Sequence, residues 1–96
     1  MNYFKDDRGK SWFDVFPLNG QININISYPG TIKAFHRHNN QTDYFFCIEG
    51  DMRICLFTEE HGTDIHYLSQ GDLVKVKSGT WHGFQVLGQE PCKMIY

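Results

Sequence analysis

Ninety-six residues, 41% of them hydrophobic and 16% aromatic, supply one small domain with enough apolar material for a core and too little chain for two. The composition excludes a disordered chain, and a formal net charge of -2 removes any electrostatic case for nucleic acid or another polyanion as partner. No apolar run approaches the roughly 20 residues that span a bilayer, and the first eight residues lack the apolar core of a secretion signal, so no membrane partner and a cytoplasmic location are expected. Cys47, Cys55 and Cys92, an odd set without CxxC spacing, read as reduced core residues in that compartment.

In chain order, Asp7-Arg8-Gly9 predicts a polar turn, and Trp12-Phe13-Asp14-Val15-Phe16 a first strand that Pro17 ends. Residues 21–27 alternate polar side chains with Ile22, Ile24 and Ile26, the period of two of a strand with one buried face. Pro29-Gly30 turns the chain into a strand over 31–38. Strict alternation there puts Ala34, His36 and His38 on one face, with Lys33, Phe35 and Arg37 on the other. Residues 43–48 and 52–57 are expected to form a hairpin across Gly50-Asp51, a two-residue turn that glycine's access to positive φ permits. In that register Cys47 faces Ile54 and Cys55 faces Phe46, so no bridge between those thiols is favoured.

Residues 59–62 read as a loop, 64–68 as a short strand and 70–72 as a turn. Strands over 73–76 and 82–87 follow, joined by 77–81, and 93–96 is the last. No window sustains a 3.6-residue period, and short strands separated by turn signals predict an all-β sandwich, barrel or jelly roll as a single domain over 1–96. The Ile22, Ile24, Ile26 stripe and the open sheet edges predict a homodimer.

Two histidines two apart in a strand present both imidazoles on one face. Asp43, opening the next strand, can bring a carboxylate to His36 and His38; a solvated sheet face is the competing account. The stretch from Gly30 to Gly50 reads G-x5-H-x-H-x4-D-x6-G and resembles the first motif of the cupin superfamily, with Asp43 where many members carry glutamate. Gly71 to His82 resembles the second motif, G-x5-P-x-G-x2-H, with Lys77 in place of proline and Val86 where asparagine often ends it. The resemblance implies a cupin double-stranded β-helix, a jelly-roll barrel whose site lies inside the mouth where the interior histidines converge.

A narrower resemblance runs the length of the chain. Asp7-Arg8-Gly9 with the segment from Trp12 to Phe16, Ile26-Ser27, Gly30 to His36, and Gly79-Thr80-Trp81-His82-Gly83-Phe84 resemble successive segments of the dTDP-4-dehydrorhamnose 3,5-epimerase family. The pair His36-Arg37-His38 is also similar to the related dTDP-4-keto-6-deoxyglucose ketoisomerases. This implies a small-molecule nucleotide sugar as partner, deoxysugar biosynthesis as setting and no cofactor. It makes His36 the base and His38 a second proton-transfer group; Asp43, on the residue chemistry alone, would orient either ring and raise its basicity if hydrogen-bonded to it. Arg8 and Lys33 would hold the diphosphate, and Tyr44 and His82 the rest of the substrate.

The residue types suit that chemistry: removing a proton α to a carbonyl asks for a base near neutral pH, and the enolate oxygen for a donor such as His82, Lys33 or His38. Asp43 stands where typical epimerases carry the enolate-stabilising lysine, and their reprotonating tyrosine aligns beyond Tyr96, so ketoisomerisation fits better than double epimerisation. Two other classes compete. One is a metal-dependent cupin in which His36, His38, Asp43 and His82 hold one divalent ion such as Fe, Mn, Ni or Zn. The other is a noncatalytic sugar-binding module.

Overall fold

The computed structural model describes residues 2–15 and 20–96, and these are all β. The strands are β1 (Asn2–Asp6), β2 (Gly9–Phe13), β3 (Ile24–Ser27), β4 (Ile32–His36), β5 (Asp43–Glu49), β6 (Asp51–Thr58), β7 (Gly62–Leu68), β8 (Leu73–Val76), β9 (Trp81–Leu87) and β10 (Cys92–Ile95). They form two antiparallel sheets, ordered β1-β2-β3-β10-β5-β8 and β4-β9-β6-β7. Among the described residues no helix is long and apolar enough to cross a membrane.

The core lies between the sheets and follows from period-two alternation. Phe45 and Cys47 from β5 and Met94 from β10 meet Met52 and Ile54 from β6 and Val86 from β9, with Leu68, Val76 and Cys92 closing the ends. Removing that apolar surface from water drives the two sheets together.

The hairpin expected across Gly50-Asp51 does not form. β5 pairs with β8 and β10, whereas β6 pairs with β7 and β9, so the chain crosses here from one sheet to the other. Gly50, at φ 92°, makes the corner, and a Cβ there would stand 2.5 Å from the Pro91 carbonyl oxygen. Alternation says which side chains turn inward, not whether two successive strands lie side by side or face to face. Cys47 therefore has Cys92 as its sulfur neighbour, Sγ to Sγ 3.9 Å, in place of the register with Ile54.

The first strand begins earlier than expected, at Gly9, and β1 precedes it across the Asp7-Arg8 turn. Asp14, at φ 54°, follows its end; Phe16 and Pro17 lie outside the described residues. In β3 the isoleucines face outward. Asn25 and Ser27, with Asn23 just before the strand, are the buried residues: Asn25 Nδ2 donates to Ser11 Oγ at 2.6 Å, the Ser27 hydroxyl donates to Asn25 Oδ1, and Asn23 Oδ1 accepts the Asp14 N–H at 3.0 Å. Among the described residues every buried side-chain nitrogen and oxygen has a partner, which is what lets a polar stripe face inward.

The alternation expected along β4 is broken by a bulge. Lys33 pairs with Phe84 and His36 with His82, three steps against two, so Lys33 and His36 both turn inward, correcting the expectation that they lie on opposite faces. Ala34 is pressed against Gly83, where a Cβ would come within 2.9 Å of it.

Candidate functional site at the barrel mouth

One end of the barrel collects the end of β4 and the starts of β5 and β9. β4 delivers His36, β9 delivers His82 and β5 opens with Asp43. The turn after β8 is tied to the loop after β4, because the Gly79 N–H donates to the His38 carbonyl at 2.7 Å. Three imidazoles result, with ring centroids 4.5 Å apart for His36 and His82, 5.5 Å for His36 and His38, and 5.6 Å for His38 and His82. Asp43 Oδ2 is 3.7 Å from His38 Nε2, and Gln41 Nε2 donates to the other carboxylate oxygen at 2.8 Å, setting its orientation.

The three histidines differ in environment. His36 is exposed at the mouth, His38 half-buried and His82 buried. The His82 Nδ1–H donates to the Thr80 carbonyl at 3.3 Å, the only polarity a carbonyl allows, so its Nε2 carries the lone pair. Burial holds the His82 pKa below the ordinary imidazole value, and that hydrogen bond opposes the shift only in part. His82 is thus held as a neutral imidazole with Nε2 free to accept or to ligate.

Ligand atoms of His38, Asp43 and His82 lie within 4.8 Å of one another, near the ~3–4 Å spacing of atoms each about 2.1 Å from a shared ion. Two imidazoles, one with its tautomer already set by a carbonyl, and one carboxylate are a donor set that fits a divalent transition metal. Of the four-ligand set expected from the sequence, these three form the group, with the His36 ring beside it.

The other candidates lie elsewhere. Tyr44 points outward because Asp43 and Phe45 on either side point inward. Arg8 is at the far end of the larger sheet: Gly9 pairs with Ser27, Ser27 with Cys92, and Lys93 with Glu49. The seven-residue β5 separates that level from Asp43, on the order of 20 Å. The Arg8 guanidinium donates twice to Asp6, at 2.8 and 3.1 Å. Lys33, over the Phe84 ring at 5.7 Å, has its pKa lowered by burial and then by the charge of Arg8. The structure does not bring Arg8 or Tyr44 to the histidines.

Gln41, Phe45, Thr80 and Tyr96 complete the site's surroundings and were not legible as such. Phe45 packs on the His82 ring at 5.7 Å and stacks on Tyr96 at 5.6 Å. Burial and the Asp43 charge both raise the Tyr96 phenol. Gln41, two residues before Asp43, was the one with a local signal.

Residues 26–96 match the family model described as Cupin domain. The spore coat polysaccharide biosynthesis protein SpsL of Bacillus subtilis (strain 168) is 36% identical over 85 residues, 80% of this chain and 56% of that protein. The probable low-salt glycan biosynthesis epimerase Agl13 of Haloferax volcanii is 25% identical over 100 residues, 90% of this chain and 62% of that protein. The chain therefore spans little more than half the length of these relatives. Among solved structures, the capsular polysaccharide assembling protein CapF of Staphylococcus aureus superposes with TM-score 0.87 at 26% identity, over 98% of this chain and 27% of that one. An oxalate decarboxylase of Lactobacillus farciminis, at TM-score 0.86 and 20% identity over 99% of this chain and 30% of that one, shares the fold.

Proposed function

Because the chain belongs to the cupin domain family, we propose that its histidine cluster moves a proton next to the keto group of a nucleotide-linked sugar, a dTDP-4-keto-6-deoxyhexose, by ketoisomerisation. The observation that carries this reading is the convergence of His36, His38 and His82 with Asp43 at one mouth. Relatives named for polysaccharide and glycan biosynthesis, one of them as an epimerase, support a sugar as the substrate class.

In this reading His36, the imidazole open at the mouth, removes the C–H proton from the hydroxyl-bearing carbon beside the carbonyl. The C–H electrons form a C=C bond while the keto oxygen takes a proton, giving an enediol. A proton then returns to the former carbonyl carbon as the neighbouring hydroxyl loses its own, and the carbonyl has moved by one carbon. His38 is the donor, with the Asp43 carboxylate as partner for its protonated form. Neutral, buried His82 packs against His36 and holds it.

Incubation with such a keto sugar in deuterated water tests this. Solvent deuterium is expected at the carbon α to the keto group in the wild type and not in His36→Asn. Absence of exchange with sugar binding intact would favour the noncatalytic sugar-binding module.

The grouping of His38, Asp43 and His82 favours a second reading, one divalent ion held by those three residues. When bound, such an ion would polarise a sugar oxygen as a Lewis acid. Metal analysis of protein purified without chelator or a nickel column decides: near-stoichiometric iron, manganese or zinc, lost in Asp43→Ala, is the outcome this reading expects.

A further inference from the structure

Two of the three cysteines meet in the core, toward the opposite end of β5 from Asp43. Cys47, near the end of β5, and Cys92, the first residue of β10, are completely buried, and their sulfurs are 3.9 Å apart. Strand pairing brings them together. Both side chains turn inward, and a bulge shifts the register, so that Met94 lies opposite Cys47 while Lys93 lies opposite Glu49. Gly50 then lets the strands draw close, since a Cβ on it would lie 2.8 Å from the Cys92 Cα, and Cys47 Sγ is 3.4 Å from the Gly50 carbonyl oxygen. Cys55 does not compete: it is in the other sheet, between Gly83 and Ile65.

A disulfide asks for an S–S bond of about 2.0 Å, so each sulfur has to move by roughly 1 Å, which a turn of roughly 30° about each Cα–Cβ bond supplies. The loop it closes is long. Residues 47 and 92 are 45 apart in sequence with β6, β7, β8 and β9 between them, so the bond restrains the unfolded chain far more than the folded one and stabilises the fold. Burial has a second effect: once folding has enclosed the bond, a reductant reaches it only when the chain opens.

We propose that Cys47 and Cys92 are the site of a structural disulfide, bridged while the chain folds in the presence of a small-molecule disulfide such as oxidised glutathione, and that the bond staples β5 to β10. In the open chain one cysteine thiolate attacks oxidised glutathione, forming a mixed disulfide as one glutathione thiolate leaves. The other cysteine thiolate then attacks the protein sulfur of that mixed disulfide and releases the second glutathione. The protein gives up two electrons and two thiol protons, and oxidised glutathione becomes two molecules of reduced glutathione. With no oxidant present the same pair remains two thiols.

The test uses the full chain carrying Cys55→Ser, which removes the partly exposed third thiol. It is unfolded in urea with reductant and refolded at pH 8 with and without oxidised glutathione, and circular dichroism checks that both products are folded. Incubation at the midpoint of the urea transition, where the chain opens and closes, gives the same readouts if refolding from high urea is inefficient. The expected product with oxidant has an intact mass lower by two hydrogens and, in an unreduced digest, peptides joined through Cys47 and Cys92. Its thermal midpoint is expected about 5–15 °C above that of the reduced form. Because one chain is compared with itself in two redox states, the outcome does not depend on a Cys47 or Cys92 variant folding. Protein in which both thiols stay free, or carry glutathione without closing the bridge, overturns the proposal. So does a bridge that leaves the thermal midpoint unchanged or lowers it.

Discussion

A buried thiol and a buried imidazole obey the same rule in this protein: each is held in its neutral form because the surrounding atoms cannot solvate the charge. Cys92 is fully buried, and burial, with Cys47 beside it, pushes its pKa from the ordinary 9.0 to about 12. The sign of the consequence follows from proton counting. Between those two values the unfolded thiol has lost its proton and the folded one has kept it, so unfolding releases protons and stability falls as pH rises, at a limiting slope of about 1.4 kcal/mol per pH unit. Urea titrations at pH 8 and pH 10 should show this loss, and Cys92→Ala should make it smaller. At pH 8 iodoacetamide should label Cys55, which is partly exposed, ahead of Cys47 and Cys92, whose labelling should track global unfolding. Early modification of Cys92 in folded protein would contradict this.

At the scale of elements, the bulge in β4 decides which side chains reach the mouth. Without the extra residue between Lys33 and His36, pairing Lys33 with Phe84 would turn His36 outward. Gly83 makes room for it, since a Cβ there would meet Ala34 and the Lys33 carbonyl at 2.9 Å. Gly83→Ala should therefore displace β4, costing about 1–3 kcal/mol in thermal or chemical unfolding. It should also reduce deuterium exchange into the sugar, because His36 moves with the strand. Ala34→Gly in the same chain relieves part of the overlap and should recover part of the stability. A Gly83→Ala variant as stable as the wild type would show that β4 tolerates the extra methyl without shifting.

At the scale of the whole molecule, the two sheets bury a shared core and leave apolar side chains on their outer surfaces. On the larger sheet Ile24 and Ile26 face out beside Trp12 and Val15 around a hollow of about 420 Å³. We propose that a second copy of the chain covers this face, as the isoleucine stripe and the open edge strands lead one to expect. Light scattering at micromolar concentration should return about twice the 11.3 kDa of one chain. Ile24→Glu/Ile26→Glu should shift that value toward the monomer while leaving the far-ultraviolet spectrum unchanged. A wild type that scatters as a monomer would remove the dimer.

Much was legible in the sequence because it is local. Alternation along 43–48 and 52–57 determined which side chains turn inward, glycine and proline marked the turns, and the two ordered motifs around His36-Arg37-His38 and His82 pointed to a jelly-roll barrel with an interior histidine site. What the tertiary structure decided is pairing. That β5 and β6 lie in different sheets, that Asn25 and Ser27 face in while Ile24 and Ile26 face out, and that Arg8 ends a strand length from Asp43 all depend on distant partners. Spacing along a strand fixes the direction of a side chain relative to its neighbours. It holds no information about which strand lies alongside, because that choice is made by the summed burial and hydrogen bonding of residues far apart in the chain.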